Sequence, residues 1–320
     1  MKPKPTLASC FLILLLSISA TAKERAPSWV TDWKSAFPDS VYIAQLGSGK
    51  SADIARANAL SAIATYLKSN VQANIYTNYS TYNDKEYTET HQDVLIASQV
   101  ELYGMEFTEP YKNKKTWYCV AYINRDKTWA QLLPDIQAKE AVFLTFMRKA
   151  DSEPEPFLAC SYYNDAAQKT SDFFTALAYG RLIKNNADNF FVETITLANA
   201  IPSLIATRKK SASVQIICVE DTDAIIRNAI AKKIEEAGFT VANNGCCIAE
   251  AKIELNLEGN DPVSITPSLT LAIRGKTGKT VHSFQCQAEE RTAAYSLETA
   301  KRRAFPKLAA SIDDQFLQGY

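Results

Sequence analysis

The segment VYIAQLGSGKSADIARANALSAIATYL, residues 41–67, carries the strongest fold signal in the chain. Its first six residues form a short apolar run that predicts a strand, and the following Gly47-Ser48-Gly49 predicts a tight turn. From Ala52 onward, small and apolar residues recur at helical spacing, and Ser51 is placed to cap that helix. The segment therefore predicts a strand, a turn and a helix in succession.

The same segment resembles the phosphate loop of nucleotide hydrolases, G-x-x-x-x-G-K-[ST]. Ala44 stands where that motif needs its first glycine, and it lies inside the predicted strand. The remaining loop is too short to wrap a triphosphate, so we expect no nucleotide hydrolysis. A weaker alternative stays open, because the amides at a helix start attract anions: a periplasmic anion or nucleotide site formed by Gly47, Gly49, Lys50 and Ser51.

Other catalytic or metal-binding sets are scarce in the sequence. Its two histidines, His91 and His282, sit in no recognisable motif, which leaves few ways to activate a serine or cysteine nucleophile. The sequence also lacks the C-x-x-C spacing typical of zinc sites. We therefore expect a protein that is not an enzyme and that uses no cofactor or metal.

The first 22 residues, MKPKPTLASCFLILLLSISATA, have the pattern of a secretory signal peptide. Two lysines precede a short apolar run, and Ala20-Thr21-Ala22 fits the small-x-small cleavage rule, so we expect cleavage after Ala22. Leu7-Ala8-Ser9-Cys10 matches a lipoprotein box, but a lipidated cysteine must follow the apolar run and Cys10 precedes it. We expect an exported protein, periplasmic or peripheral to the outer membrane, without lipid at Cys10.

Charge argues against a nucleic-acid partner. Without Lys2 and Lys4 the mature chain keeps 33 basic against 35 acidic residues, and it has no polybasic arm. Binding to nucleic acid depends on neutralising phosphates with lysine and arginine, which this balance does not favour. No apolar run of the mature chain is long enough to predict a transmembrane segment.

Six cysteines remain after cleavage, and export would permit disulfides among them. Four lie in the last third of the chain: Cys218, Cys246, Cys247 and Cys286. We expect one bridge between Cys218 or Cys286 and the Cys246-Cys247 step. The alternative, that these cysteines are small buried apolar residues on strands, stays open.

The rest of the chain divides by pattern into three parts after the signal peptide, residues 1–22. Residues 27–125 continue from the opening segment to a hairpin, in which Trp117, Cys119, Ala121 and Ile123 would share one face. Residues 126–210 carry helical apolar stripes, broken at Glu153-Pro154-Glu155-Pro156. Residues 211–320 read as a strand, a helix capped by Asp221 or Asp223, four strands and a closing helix.

These patterns predict an α+β protein. It would have an N-terminal strand-helix-hairpin module, a helical middle segment and a C-terminal α/β domain with a mostly antiparallel sheet. We expect strands at Phe239–Ala242, Ala251–Leu257, Ser268–Arg274 and Thr280–Gln287. A turn at residues 276–279 would join the last two strands.

Residues 27–125 resemble the Lpp-twenty lipoprotein family. The likeness rests on Pro27-Ser28-Trp29-Val30, the glycine segment, the alanines Ala55 and Ala59, and WYCVAYINR at residues 117–125. The module is also similar to the N-terminal region of the flagellar T-ring assembly protein FlgT. Residues 211–320 resemble a small α/β domain shared by that protein, by CsgG-type secretion proteins and by outer-membrane activators of penicillin-binding proteins.

The resemblance implies a cell-envelope protein that binds protein partners and performs no chemistry, with flagellar or cell-wall machinery as the candidate partners. It supplies no catalytic residue, and it makes the glycine segment a signature of the fold. The chain departs from the family in two ways. Its match to the lipoprotein box precedes the apolar run, and its helical middle segment has no counterpart in the family.

Overall fold

The computed structural model describes residues 26–79, 104–259, 262–318 and 320. The expected signal peptide, Cys10 and His91 lie outside these residues. The fold is α+β, as predicted, with helices and both antiparallel and mixed sheets.

The N-terminal part is an antiparallel sheet packed against one long helix. Two single-turn helices, α1 (Ser28–Thr31) and α2 (Trp33–Ala36), precede the strand β1 (Tyr42–Gly49) and the helix α3 (Ala52–Tyr79). The remaining strands are β2 (Met105–Phe107), β3 (Tyr111–Asn113) and β4 (Thr116–Asn124). The central strand β4 pairs with β1, β2 and β3.

The hairpin and its faces are confirmed. Strand β4 pairs with β3 around Lys114-Lys115, and its residues Cys119, Ala121 and Ile123 lie in the core beneath α3. In the turn between these two strands, Lys114 has a left-handed conformation, φ +55°.

The middle of the chain is three helices. They are α4 (Arg125–Ser152), α5 (Pro156–Ile183) and, after a 3-10 turn at Ala187–Phe190, α6 (Val192–Ser211). The break between α4 and α5 falls at the predicted prolines, and Pro156 occupies the first turn of α5, where its missing N–H costs nothing.

The C-terminal part combines a five-stranded sheet, a small three-stranded sheet and two helices. In chain order its elements are β5 (Ser213–Cys218), α7 (Ile225–Glu236), β6 (Thr240–Val241), β7 (Cys247–Glu254), β8 (Leu257–Glu258), β9 (Val263–Ile265), β10 (Ser268–Arg274), β11 (Thr280–Gln287), β12 (Thr292–Ala294), α8 (Leu297–Ala310) and a 3-10 turn (Asp314–Leu317).

The larger sheet has the order β11-β10-β7-β5-β6. Strand β5 runs parallel to β6 and β7, whereas β7, β10 and β11 are mutually antiparallel neighbours, so this sheet is mixed. Helices α7 and α8 cover one face through Ile226, Ile230 and Leu308. The opposite face is polar and carries exposed residues such as Thr270 and Gln285.

Helix α5 belongs to two cores. Near its start, Phe157 packs into the core of the C-terminal sheet, and in its second half, Phe173 and Leu177 pack into the core beneath the N-terminal sheet. The helical segment therefore contributes side chains to both neighbouring modules.

Candidate functional site

The glycine segment is part of a strand, which corrects the predicted turn. Gly47 and Gly49 lie within β1, opposite Cys119 and Trp117 of β4. A Cβ atom on Gly47 would lie 2.2 Å from the backbone nitrogen of Ala59 in α3, far inside van der Waals contact. The glycines are needed because the helix backbone lies directly on the strand.

The residues after the strand form a helix cap. The Ser51 hydroxyl accepts a hydrogen bond from the Ile54 amide at 3.3 Å, which confirms the predicted cap. The Asn58 side chain donates to the carbonyl of Ser48 at 2.8 Å. Asp53 already places a carboxylate in the first turn of α3, where the helix dipole favours negative charge.

This geometry reduces the number of groups that could bind an anion at the predicted site of Gly47, Gly49, Lys50 and Ser51. Gly47 is buried under α3, and the Ser51 hydroxyl is engaged by the cap, so an anion would be left with Lys50 and the first amides of the helix. Lys50 is exposed. The hypothesis stays a prediction, which the variant Lys50→Ala would test.

The strand register separates the cysteines for which a bridge was expected. All six cysteines of the described residues are free thiols. Cys218 lies opposite Ala251, four residues along β7 from Cys247, which corresponds to about 13 Å. Cys286 lies on β11, with β10 between it and β7. Both separations exceed the roughly 7 Å that a disulfide spans between Cα atoms.

Glu155 joins the middle helices to the C-terminal sheet. It precedes α5, is only 2% exposed, and accepts hydrogen bonds from the amides of Lys276 at 2.7 Å and Thr277 at 2.6 Å in the β10–β11 turn. Burial opposes its ionisation, but these hydrogen bonds and the charge of Lys276 hold the pKa of Glu155 below its ordinary value. A Cβ atom on Gly275 would lie 1.9 Å from this carboxylate, so only glycine leaves room for it.

A lysine and three aromatic rings make a second contact between the middle helices and the C-terminal domain. We call this contact and that of Glu155 together the α5 junction. Lys209 of α6 donates to the carbonyls of Ala237 at 2.9 Å and Tyr320 at 2.8 Å. Phe157 stacks on Phe239 with a centroid distance of 4.1 Å and meets Tyr320 edge-on. Charge-assisted hydrogen bonds and buried aromatic contacts therefore fix α5 and α6 against the C-terminal domain.

Two adjacent thiols lie beside this junction, at the start of β7. The sulfurs of Cys246 and Cys247 are 3.9 Å apart, with Cys246 exposed and Cys247 fully buried. Burial raises the pKa of Cys247 to about 12. Partial burial acts the same way on Cys246, but hydrogen bonding with Ser213 and Cys247 and the charge of Lys276 outweigh it and lower its pKa.

The described histidine, His282, is half-buried in an aromatic cluster. Its ring lies edge-on to Phe316 and Tyr320, and no described residue offers a partner to its buried Nε2 atom. Burial lowers the pKa of His282, with a backbone hydrogen bond to Phe316 opposing it. The described ranges contain no group of three or more His, Cys, Asp or Glu residues that could hold a metal ion.

Several large apolar side chains are exposed at the end of the C-terminal domain far from the α5 junction. Val219 follows β5 and Leu257 begins β8 just after β7, so both lie where these parallel strands end. Tyr295 follows β12 in the adjoining small sheet. Their exposed fractions are 81%, 58% and 93%. We call these three residues the distal group.

Sequence reasoning did not identify Glu155 or Lys209 as important residues. A local signal existed for Glu155, since it lies between two prolines immediately before a helix. Its partners, however, are 121 and 122 residues away, and only the tertiary fold brings them together.

Comparison with known proteins leaves the family unassigned. No family model matches the chain, and no curated protein does. A secreted protein of Helicobacter pylori matches at 15% identity over 85% of this chain and 98% of its own, with a TM-score of 0.32. A minor lipoprotein of Acinetobacter baumannii matches at 12% identity over 33% of this chain and 86% of its own, with a TM-score of 0.22.

Both of these proteins are exported or lipoprotein-like by name, but TM-scores this low do not show a shared fold. The likeness to the Lpp-twenty family therefore rests on the residues quoted for it. Among the described residues, no helix has the length and apolar character needed to cross a membrane.

Proposed function

We propose that this protein is exported to the cell envelope, where it binds other proteins and catalyses no reaction. The signal-peptide pattern of residues 1–22 and the family resemblance of residues 27–125 support this role. The role that we propose for it is in flagellar assembly or, alternatively, in the regulation of cell-wall synthases.

The observation that carries the proposal is the exposure of the distal group. Tyrosine is enriched at protein interfaces, and side chains as large as Tyr295 and Val219 gain apolar burial only if a partner covers them. They lie at the end of the domain that α5 and α6 leave free. The same end carries acidic residues, including Glu220, so a partner surface with basic residues around an apolar patch would be complementary.

Photo-crosslinking in the source cells tests this proposal. A photoreactive phenylalanine derivative replaces Tyr295, and a matched variant carries it at Thr270, which is exposed on the polar face of the sheet. We expect Tyr295 to capture envelope proteins that Thr270 does not capture. Components of the flagellar basal body or of the cell-wall synthases would distinguish the two processes.

The purified mature chain provides the opposing test. ATP hydrolysis or tight phosphate binding that is lost in Lys50→Ala, together with no specific capture through Tyr295, would contradict the proposal. That result would favour the anion or nucleotide-binding alternative at Gly47, Gly49, Lys50 and Ser51.

A further inference from the structure

Strand β11 is one edge of the five-stranded sheet, and in the part of the chain that the structure describes it pairs only with β10. The Ala288 amide donates to the carbonyl of Pro267, directly opposite, at 3.0 Å. In an antiparallel pair, such hydrogen-bonded positions alternate with positions whose N–H and C=O groups point away from the neighbouring strand. The backbones of Ser283, Gln285 and Gln287 therefore point to the free edge.

This edge lacks the features that usually protect an exposed strand. Edge strands are commonly very short, or carry lysine, other charged residues or proline, which prevent another strand from pairing with them. The opposite edge of the same sheet, β6, has only two residues. Strand β11 has eight, TVHSFQCQ, with no proline, lysine, arginine or carboxylate among them. Its sequence therefore leaves the edge open to pairing.

The chain itself covers only the start of this edge. The Tyr320 hydroxyl donates to the carbonyl of Val281 at 2.8 Å. Beyond that contact, Ser283, Gln285 and Gln287 are all exposed. Among the described residues, none makes a hydrogen bond to the outward backbone groups of these three. Three consecutive outward positions are thus available to an added strand.

The apolar core also ends at this edge. Phe284 and Cys286 lie on the face of the sheet that the helices cover, and both are only partly buried. The Phe284 ring lies 5.2 Å from that of Phe316, between centroids, which holds it against the core. A strand added to the edge would cover the apolar surface that these side chains still expose, and this burial would stabilise the pairing.

We propose that two copies of this chain associate through β11, with the two strands antiparallel about a two-fold axis at Gln285. Gln285 then pairs with Gln285 of the second copy, and Ser283 pairs with Gln287. Each pair exchanges two backbone hydrogen bonds, so that the two sheets become one continuous sheet. Phe284 lies opposite Cys286 of the second copy, at a position without hydrogen bonds, where opposed side chains are closest.

The side chains favour a second copy as the occupant of this edge. A two-fold interface places the same surface on both sides, so it must be complementary to itself. The glutamine amide both donates and accepts hydrogen bonds, so Gln285 can pair with its own counterpart across the axis. The exposed residues on either side of it, Ser283 and Gln287, are uncharged, and no like charges of β11 meet. The interface uses no residue of the distal group, so this inference and the proposed function can fail separately.

Sedimentation of the purified mature chain tests the proposal. One pair of strands makes a small interface, typical of transient complexes, so we expect a dissociation constant of about 10–100 µM. The mass should therefore rise towards that of a dimer between about 1 and 500 µM. A mass that stays that of the monomer over this range would overturn the proposal.

Charges placed on the axis test where the two copies meet. Gln285→Lys and Gln285→Glu each bring like charges together, and each should weaken association at least about tenfold. An equimolar mixture of the two variants should regain the affinity of the parent chain, because opposite charges then meet. Thr270→Lys is the matched control: it adds the same charge to the same exposed face, one strand away from the edge, and should change the affinity less than about twofold. Unchanged association in Gln285→Lys, or a mixture no tighter than either variant alone, would overturn the proposed axis.

Hydrogen exchange resolved to single amides tests the pairing on the unmutated chain. The amides of Ser283, Gln285 and Gln287 should exchange about threefold more slowly, or slower still, at about 500 µM than at about 10 µM. Those of Phe284 and Cys286 already bond to β10 and serve as internal controls. Equal exchange of the three outward amides at both concentrations would contradict the proposal. Protection that appears only when other envelope proteins are added would assign the edge to a strand of another protein, and would also overturn it.

Discussion

At the scale of single residues, Gly47 shows how a strand and a helix come into backbone contact. An added Cβ atom would overlap the Ala59 nitrogen and the Ala55 carbonyl oxygen, at 2.2 and 2.3 Å. Backbone atoms cannot move aside as a flexible side chain can. The contact therefore depends on the absence of a side chain at this one position.

We expect Gly47→Ala to lower the free energy of unfolding by about 3 kcal/mol or more, at the upper end of what overpacking costs. Urea unfolding followed by circular dichroism measures the change. Ser48→Ala is the matched control, since Ser48 is the next residue in β1 and is exposed, and it should change stability by less than about 0.5 kcal/mol. Equal effects of the two variants would show that α3 does not lie on the strand at Gly47.

Glu155 should make stability depend on pH. Its folded-state pKa is lower than its ordinary value of 4.5, so its contribution is present above about pH 4.5 and is lost as the pH falls through the folded-state value. Glu155→Gln puts an amide NH₂ against one of the two backbone donors and leaves that donor unpaired. We expect it to cost about 1–3 kcal/mol at pH 7 and to remove this acid-dependent loss.

Urea unfolding at several pH values between 3 and 7 would measure both effects of Glu155→Gln. Glu235→Gln changes the same charge at an exposed position of α7 and should leave the pH profile as in the parent chain. If the stability of Glu155→Gln depended on pH as that of the parent chain does, the Glu155 carboxylate would not be the cause of the acid-dependent loss of stability.

Residue roles were predictable where the partners are close in sequence. The cap at Ser51 was expected, and so was the choice between Asp221 and Asp223, which the structure settles: Asp221 accepts from the amides of Ile225 and Arg227. Glu155 makes an equally specific contact, but with a turn more than a hundred residues later. Local patterns contain no information about such a partner.

At the scale of elements, local alternation located the antiparallel strands better than the parallel ones. Strands β10 and β11 have the predicted bounds, and the turn between them contains Gly278 at φ +78°. Strand β7 was expected at Ala251–Leu257 and is found at Cys247–Glu254, since its start is set by parallel pairing with β5. That pairing joins distant segments and leaves little trace in the local pattern.

Helix α6 contains a proline in its interior. Proline usually ends a helix, but α6 continues through Pro202 to Ser211. Proline removes one backbone hydrogen bond, yet Ala198 and Ile201 are buried in a core with Phe143 and Met147 of α4. Packing of this face stabilises the helix through the proline.

Strand β11 carries a second group whose titration affects stability, His282. It acts over a higher pH range than Glu155 does. Its folded-state pKa is below 6.5, so the native state binds fewer protons than the unfolded chain just below that pH. Stability should be complete above about pH 6.5 and decrease as the pH falls through the folded-state value. His282→Phe, which suits the cluster of Phe316 and Tyr320, should flatten this part of the profile.

Thermal unfolding between pH 5 and 7.5 would measure the effect of His282→Phe. A slope that is unchanged in His282→Phe would contradict the assignment of this titration to His282.

At the scale of the whole molecule, α5 joins the two largest cores. Phe157 in its first turn stacks on Phe239, and truncation of a buried phenylalanine typically costs about 3–5 kcal/mol. We expect Phe157→Ala to weaken the C-terminal core and to loosen its attachment to the helices. In calorimetry, one main unfolding transition in the parent chain should become two.

Phe190→Ala is the matched control for this truncation, because Phe190 is 51% exposed. It should cost less than about 1 kcal/mol and leave the number of transitions unchanged. A single sharp transition in Phe157→Ala would mean that the two cores unfold together without this contact.

The length of α5 gives this connection a mechanical meaning. Its 28 residues form a rod of about 42 Å, with a buried aromatic side chain near each end, Phe157 and Tyr179. A tilt of about 5° around the Phe157 anchor would carry the far end sideways by about 4 Å, given that rise per residue. A force applied to the distal group would thus tilt α5 and displace the N-terminal sheet. The helix would transmit torque between two modules that are formed by separate parts of the sequence.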